Sequence, residues 1–170
     1  DDQVWCYANE HLAIREEIGD PDGEASARMM LAMINLSLGN LDRAEQAITE
    51  AIACAEKSGN RFIIGMFRHW LSLILLAQGN HQEALRQATL IQALARSINN
   101  QYQYLISVTH QAKAAWDRRD YEQSVRCCEE GLAQSQGQDE ATRARFLYIL
   151  SRVALSQGQI SQSLSYIRCF

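Results

Sequence analysis

The sequence contains a single proline, no run of 18 apolar residues, and no segment in which apolar and polar residues alternate. Proline breaks helices, so a chain almost without it can run through long ones uninterrupted. The one proline, Pro21, lies in Gly19-Asp20-Pro21-Asp22-Gly23, where one helix should stop and another start. The most apolar stretch, Phe62 to Leu76, is broken by Arg68 and His69, so no segment is expected to span a membrane. Without period-two alternation or runs of Val, Ile and Thr between turn signals, strands are not expected either.

Patterns that carry chemistry are just as scarce. His11, His69, His81 and His110 are scattered, and no HExxH, GxSxG or glycine-rich phosphate loop occurs. The five cysteines, Cys6, Cys54, Cys127, Cys128 and Cys169, are odd in number and lack metal-ligand spacing. Cys127-Cys128 is a vicinal pair, readable as a redox switch or as two thiols of which one faces the core and the other leans outward. The second reading is preferred, because free cysteine behaves as a small buried hydrophobe; a reduced cytoplasm fits best. Glu16-Glu17 and Glu129-Glu130 sit at the ends of amphipathic stretches and read as solvated. A net charge of −4, with both signs interleaved, leaves no electrostatic footprint for nucleic acid. The expectation is therefore no enzyme activity, no metal, no cofactor, and no direct contact with nucleic acid or membrane.

What the sequence does have is a period. Gly39-Asn40 returns as Gly79-Asn80, Arg119-Asp120 and Gly158-Gln159, and a second marker falls between, at Gly19-Asp20, Gly59-Asn60 and Asn99-Asn100. Repetition at about 40 residues is the signature of a solenoid. Gly and Asn tolerate the left-handed conformation that ends a helix, so markers about 20 residues apart cut the chain into helix-length pieces. Within one piece Leu41, Ala44, Ala47, Ile48, Ala51, Ile52 and Ala55 step by three and four along a single face, with charged residues opposite. The spacing predicts helices near 3–18, 23–38, 41–58, 61–78, 81–98, 101–117, 121–135, 140–157 and 160–170. Short turns make neighbours antiparallel. The predicted architecture is one all-α domain over 1–170, with repeats near 1–20 (partial), 21–60, 61–100, 101–139 and 140–170 (partial).

These residues resemble the tetratricopeptide repeat (TPR) family. Its columns of a small residue in the first helix, a turn glycine, a large residue and a second small residue are filled by Ala32, Gly39, Leu41 and Ala44. Ser72, Gly79, His81 and Ala84 fill them next, then Ala112, Arg119, Tyr121 and Ser124, then Ser151, Gly158, Ile160 and Ser163. Arg119 departs from the glycine, the family's terminal proline is missing, and the unit is about 40 residues long where 34 is usual. The resemblance implies a right-handed superhelix of helical hairpins. At this repeat length the chain is similar to arrays in bacterial MalT-like, LuxR-family transcription regulators, and to LGN (Pins) and kinesin-light-chain adaptors.

The resemblance also implies a site. In the family the first helix of each pair lines a concave groove, which places Met29, Met33, Leu36, Met66, His69, Leu73 and Leu76 inward, followed by Ile106, Thr109, Lys113, Trp116, Arg145, Tyr148, Arg152 and Leu155. The first group suits an apolar peptide, the second an anionic or aromatic group. Met29 and Met33 replace the lysine and asparagine of the chaperone-tail carboxylate clamp, so that ligand is disfavoured. The implied partner is a protein or peptide, or a small inducer. The implied role is the sensor segment of a larger MalT-like regulator, acting in signal transduction and transcription regulation. The alternative is a stand-alone adaptor. The regulator is preferred because the repeats are degenerate. Val4, Trp5, Ile160, Leu164 and Ile167 would lack a neighbouring repeat, and Cys169-Phe170 would close the chain inside a helix. The chain is thus expected to be a piece of a longer protein, with self-association through its uncapped ends as a further expectation.

Overall fold

The computed structural model describes residues 2–135 and 140–168. Among these it holds nine helices and no strand: α1 (Asp2–Ile18), α2 (Pro21–Ser37), α3 (Leu41–Ser58), α4 (Arg61–Ala77), α5 (His81–Ser97), α6 (Gln101–Asp117), α7 (Tyr121–Gln134), α8 (Glu140–Ser156) and α9 (Ile160–Ile167). The expected helices are all present, with shifts of a few residues at their ends. α9 ends at Ile167, short of the expected 170, and α2 begins on Pro21 instead of residue 23, because the first helical position needs no amide donor. The expectation for Cys169 and Phe170 lies outside the described residues.

The turns explain why the markers recur. At Gly39-Asn40 the glycine takes φ +75°. Gly39 N then donates to Leu36 O, and Asn40 N reaches back five residues to Asn35 O at 2.9 Å. This pair of backward bonds satisfies the last carbonyls of the helix. The long bond recurs from Asn80, Asn100, Asp120 and Gln159. Arg119 adopts the same left-handed conformation, at φ +64°, and its amide makes the equivalent bond to Trp116 O. The turn there does not differ from the glycine turns. The polar member of the marker has a second task, capping the next helix: Asp20, Asn60, Asn100 and Asp120 each accept from the amide three residues on.

By its internal contacts the chain forms two compact units, residues 1–80 and 81–170. In the first, α2 and α3 form a hairpin, with α1 against α2 and α4 against α3. In the second, α6 and α7 pair, as do α8 and α9, while α5 packs on α6, and α6 and α7 both touch α8. The eight small-column residues are all buried, and Ala44, Ser72, Ala84, Ala112 and Ser124 completely so. Across the α6–α7 hairpin two of these columns join directly, where Ser124 Oγ donates to Ala112 O at 2.9 Å.

The second unit has a core contact that the periodicity did not point to. Gly131, inside α7, lies under the fully buried ring of Phe146 from α8. A Cβ on Gly131 would stand 2.6 Å or less from three ring carbons. Glycine weakens a helix interior by about 1 kcal/mol; here it is the seat that lets an aromatic ring fill the space between helices.

Some expectations need correction. Cys127 does not lean outward: both vicinal thiols are buried, and Gln123 Nε2 donates to Cys127 Sγ at 3.3 Å. Leu76 and Ile106 are core residues and do not line an open face. Glu130 is exposed yet accepts a short hydrogen bond from Tyr104. Val4, Trp5, Ile160, Leu164 and Ile167 are indeed exposed.

Candidate functional site

The ten candidate residues divide between the units. Met29, Met33, Met66, His69 and Leu73 belong to the first and are all half-buried. The His69 and Trp70 rings stand 5.4 Å apart, tilted by 54°. Arg28 of α2 and Arg68 of α4 are engaged. Arg28 binds Glu16 at 2.6 Å and Glu50 at 2.9 Å, and Arg68 binds Glu56 at 2.7 Å.

Lys113, Trp116, Arg145, Tyr148 and Arg152 belong to the second unit, on α6 and α8, the first helices of two successive hairpins. Trp116 is the centre of this group. Lys113 Nζ and Arg152 Cζ each lie 5.3 Å from its ring centroid, within cation–π range. The indole nitrogen donates to Ser156 Oγ at 3.4 Å, and that hydroxyl donates to Arg152 O. The ring is therefore held in place while part of it stays open. Beside it is a cavity of about 430 Å³, lined by Thr109, Lys113, Trp116, Ala144, Arg145, Tyr148 and Ile149. Thr109 spends its hydroxyl on Leu105 O, so the walls are largely apolar. Ile149 closes the floor from the core, and Tyr148 and Arg145 are exposed at the mouth.

Asp117 is the acid of this neighbourhood. Its Oδ2 takes Lys113 Nζ at 2.9 Å, one helical turn away, and lies 3.7 Å from His81 Nδ1. His81, which fills the large-residue column of its repeat, is half-buried beside a carboxylate. The sequence did not single out Asp117, Ala144, Ile149 or Ser156 as neighbours of the site. Their involvement depends on how α6 and α8 meet, and no pattern within either helix carries that.

A second cavity of the same unit, about 530 Å³, lies among Ala95, Arg96, Asn99, Asn100, Gln101, Tyr104 and Gln134. Its polar groups largely satisfy one another. Arg96 lies over the Tyr104 ring, Tyr104 donates to Glu130, and Gln101 donates to Gln134 O. Burial pushes the Cys127 and Cys128 thiols up from their ordinary value, which favours the protonated form over a nucleophilic thiolate. Among the described residues no group of three His, Cys, Asp or Glu could hold a metal, and no helix is long and apolar enough to cross a membrane.

Comparison with known proteins agrees with this architecture. The tetratricopeptide repeat family model matches residues 13–59. No curated protein matches the sequence. Among solved structures, the chain is similar to a kinesin-light-chain-like protein of Podosopora anserina with nearly identical TPR-like repeats. The TM-score is 0.76 at 16% identity, over 95% of this chain and 80% of that one. It is also similar to the apo form of RapI, with a TM-score of 0.79 at 12% identity, covering 91% of this chain and 43% of RapI. BtubC (BKLC) from P. vanneervenii gives 0.75 at 14% identity, over 88% of this chain and 62% of that protein. The chain thus spans less than two thirds of the last two. At such identities the likeness is one of fold. Residues 13–59 thus match the tetratricopeptide repeat family model, and the hairpins with their small columns share the fold of TPR-like repeats.

Proposed function

We propose that the chain is a binding module for a protein or peptide, and that its contact surface in the second unit centres on Trp116. The observation that carries this reading is a partly open indole, fixed by Ser156 and flanked by two cations, over an apolar cavity. A core tryptophan needs no such rim, and anchored aromatic residues beside arginine are the usual centres of binding energy. The methionine group of the first unit supplies a second, apolar contact surface in this reading, with Met29, Met33 and Met66 able to adapt to shape.

We assign the parent protein to the MalT-like regulators on the 40-residue repeat and its degenerate columns. The adaptor reading draws on the kinesin-light-chain-like repeats that share the fold. A helix-turn-helix or a nucleotide-binding loop elsewhere in the parent sequence decides for the regulator, and their absence from the full sequence decides for the adaptor.

Peptide display on the immobilised chain tests the module directly. Selected peptides should bind Trp116→Ala at least about tenfold more weakly, as expected when a central aromatic anchor is removed. An empty selection, or peptides indifferent to this substitution, would overturn the site.

A further inference from the structure

The cavity beside Trp116 has apolar walls and a cationic rim, but its cations are not equivalent. Lys113 is committed to Asp117 at 2.9 Å, so its charge is largely neutralised within its own helix. Arg145 and Arg152 face no carboxylate among the described residues. Arg152 has the Trp116 ring and Arg145 the cavity mouth. This differs from the other arginine-lined places in the molecule. Arg28 and Arg68 are paired with glutamates, and Arg96 lies over Tyr104 in a cavity whose polar groups are already bonded. Arg145, at the cavity, and Arg152, over the Trp116 ring beside it, thus have no ion pair among the described residues.

The spacing adds a constraint. Arg145 and Arg152 are two turns apart on α8 with Tyr148 between them, a separation of about 10 Å along the helix axis. An extended peptide covers that distance in three or four residues at roughly 3.3 Å each.

We propose that the cavity takes one apolar side chain of an acidic peptide segment, and that Arg145 and Arg152, not Lys113, read carboxylates on either side of that anchor. This rests on the reading of the chain as a protein-binding module and adds the chemistry of the partner. Asp117 is a positioning residue in this arrangement: it holds Lys113 over the ring as part of the wall and screens it from the ligand.

The test uses fluorescence anisotropy with the 170-residue chain and three short labelled peptides. One carries a phenylalanine with glutamates on both sides; the second has serine in place of the phenylalanine; the third has lysines in place of the glutamates. The first should bind, the second at least about tenfold more weakly, and the third weakest of all. Arg145→Gln with Arg152→Gln should weaken the first peptide about tenfold or more and flatten its salt dependence, while Arg126→Gln, on α7 and paired with Glu122, should change it less than about threefold. All three positions are at least partly exposed, and circular dichroism checks that the variants stay folded. Equal binding of the glutamate and lysine peptides would overturn the proposal, as would an Arg126→Gln effect matching that of the arginine pair. If display yields peptides that need Trp116 but are neutral or basic, the acidic-partner inference fails and the binding module stands. If neither display nor the glutamate peptide gives binding, both fail.

Discussion

The two units use one repeat to opposite electrostatic ends. Residues 1–80 carry 6 Lys and Arg against 12 Asp and Glu, a net −6; residues 81–170 carry 10 against 8, a net +2. Interleaving of signs along the sequence conceals this asymmetry. In the first unit the surplus carboxylates bind Arg28 and Arg68, as where Arg28 bridges Glu16 and Glu50. In the second, the facing helices α6 and α8 hold Lys113, Arg143, Arg145 and Arg152 against Asp117 and Glu140. The comparison separates two kinds of position. Small columns and turns are the same in both units and specify the fold; the side chains between them are free to differ and give each unit its surface.

The units also differ in how their cores are filled, and this is where the largest effect is expected. The α2–α3 hairpin packs through alanines such as Ala25, Ala32, Ala44 and Ala51, whereas the second unit depends on Phe146 over Gly131. Phe146→Ala should destabilise the chain by about 3–5 kcal/mol, read by urea denaturation. A cost as small as that of a surface change would mean that the ring is not the keystone of its unit. Gly131→Ala should cost about 1–3 kcal/mol by overpacking, and Phe146→Leu in the same chain should recover part of the loss. Ala44→Leu makes the matching test in the first unit, with a similar cost of about 1–3 kcal/mol. A wild-type melting temperature for Ala44→Leu would remove it from the close-contact column.

Smaller effects sharpen the comparison. Arg119 sits in a left-handed conformation that costs a non-glycine residue about 1–2 kcal/mol. Arg119→Gly should therefore raise stability, by less than about 1 kcal/mol once the greater freedom of glycine in the unfolded chain is counted. A loss of stability would show that the arginine side chain stabilises this turn. Arg28→Met removes the two-carboxylate bridge of the first unit. Because both glutamates are nearly half exposed, the loss should stay below about 1 kcal/mol and shrink further in high salt. A salt-independent loss would point to packing of the Arg28 stem.

Helices, turns and small columns were legible in the sequence because each is determined locally. Gly39-Asn40 ends one helix and begins another through bonds within a few residues, and Ala44 or Ser124 must be small wherever two helices cross. The notch at Gly131 was not legible, since it needs α7 and α8 placed together before a glycine inside a helix makes sense. The same holds for Cys127, whose burial depends on neighbours in space, and for Leu76 and Ile106, which share the periodicity of groove residues but turn into the core. Lys113, Trp116, Tyr148 and Arg152 stood out because basic and aromatic residues on an inner helix contribute little to a small-residue core. Their division into one neutralised lysine and two unpaired arginines appeared only with Asp117 in place.

The backbone bonding of the turns has a consequence for how such a chain can diverge. At Arg119-Asp120 both turn-defining bonds are donated by main-chain amides, and a residue other than glycine takes the same conformation. Selection for this architecture therefore acts mainly on main-chain geometry and side-chain volume, both of which many sequences satisfy. Lineages can drift until little letter-by-letter agreement remains. Similarity to the family model accordingly covers residues 13–59, while the fold is shared across most of the chain with proteins of 12–16% identity.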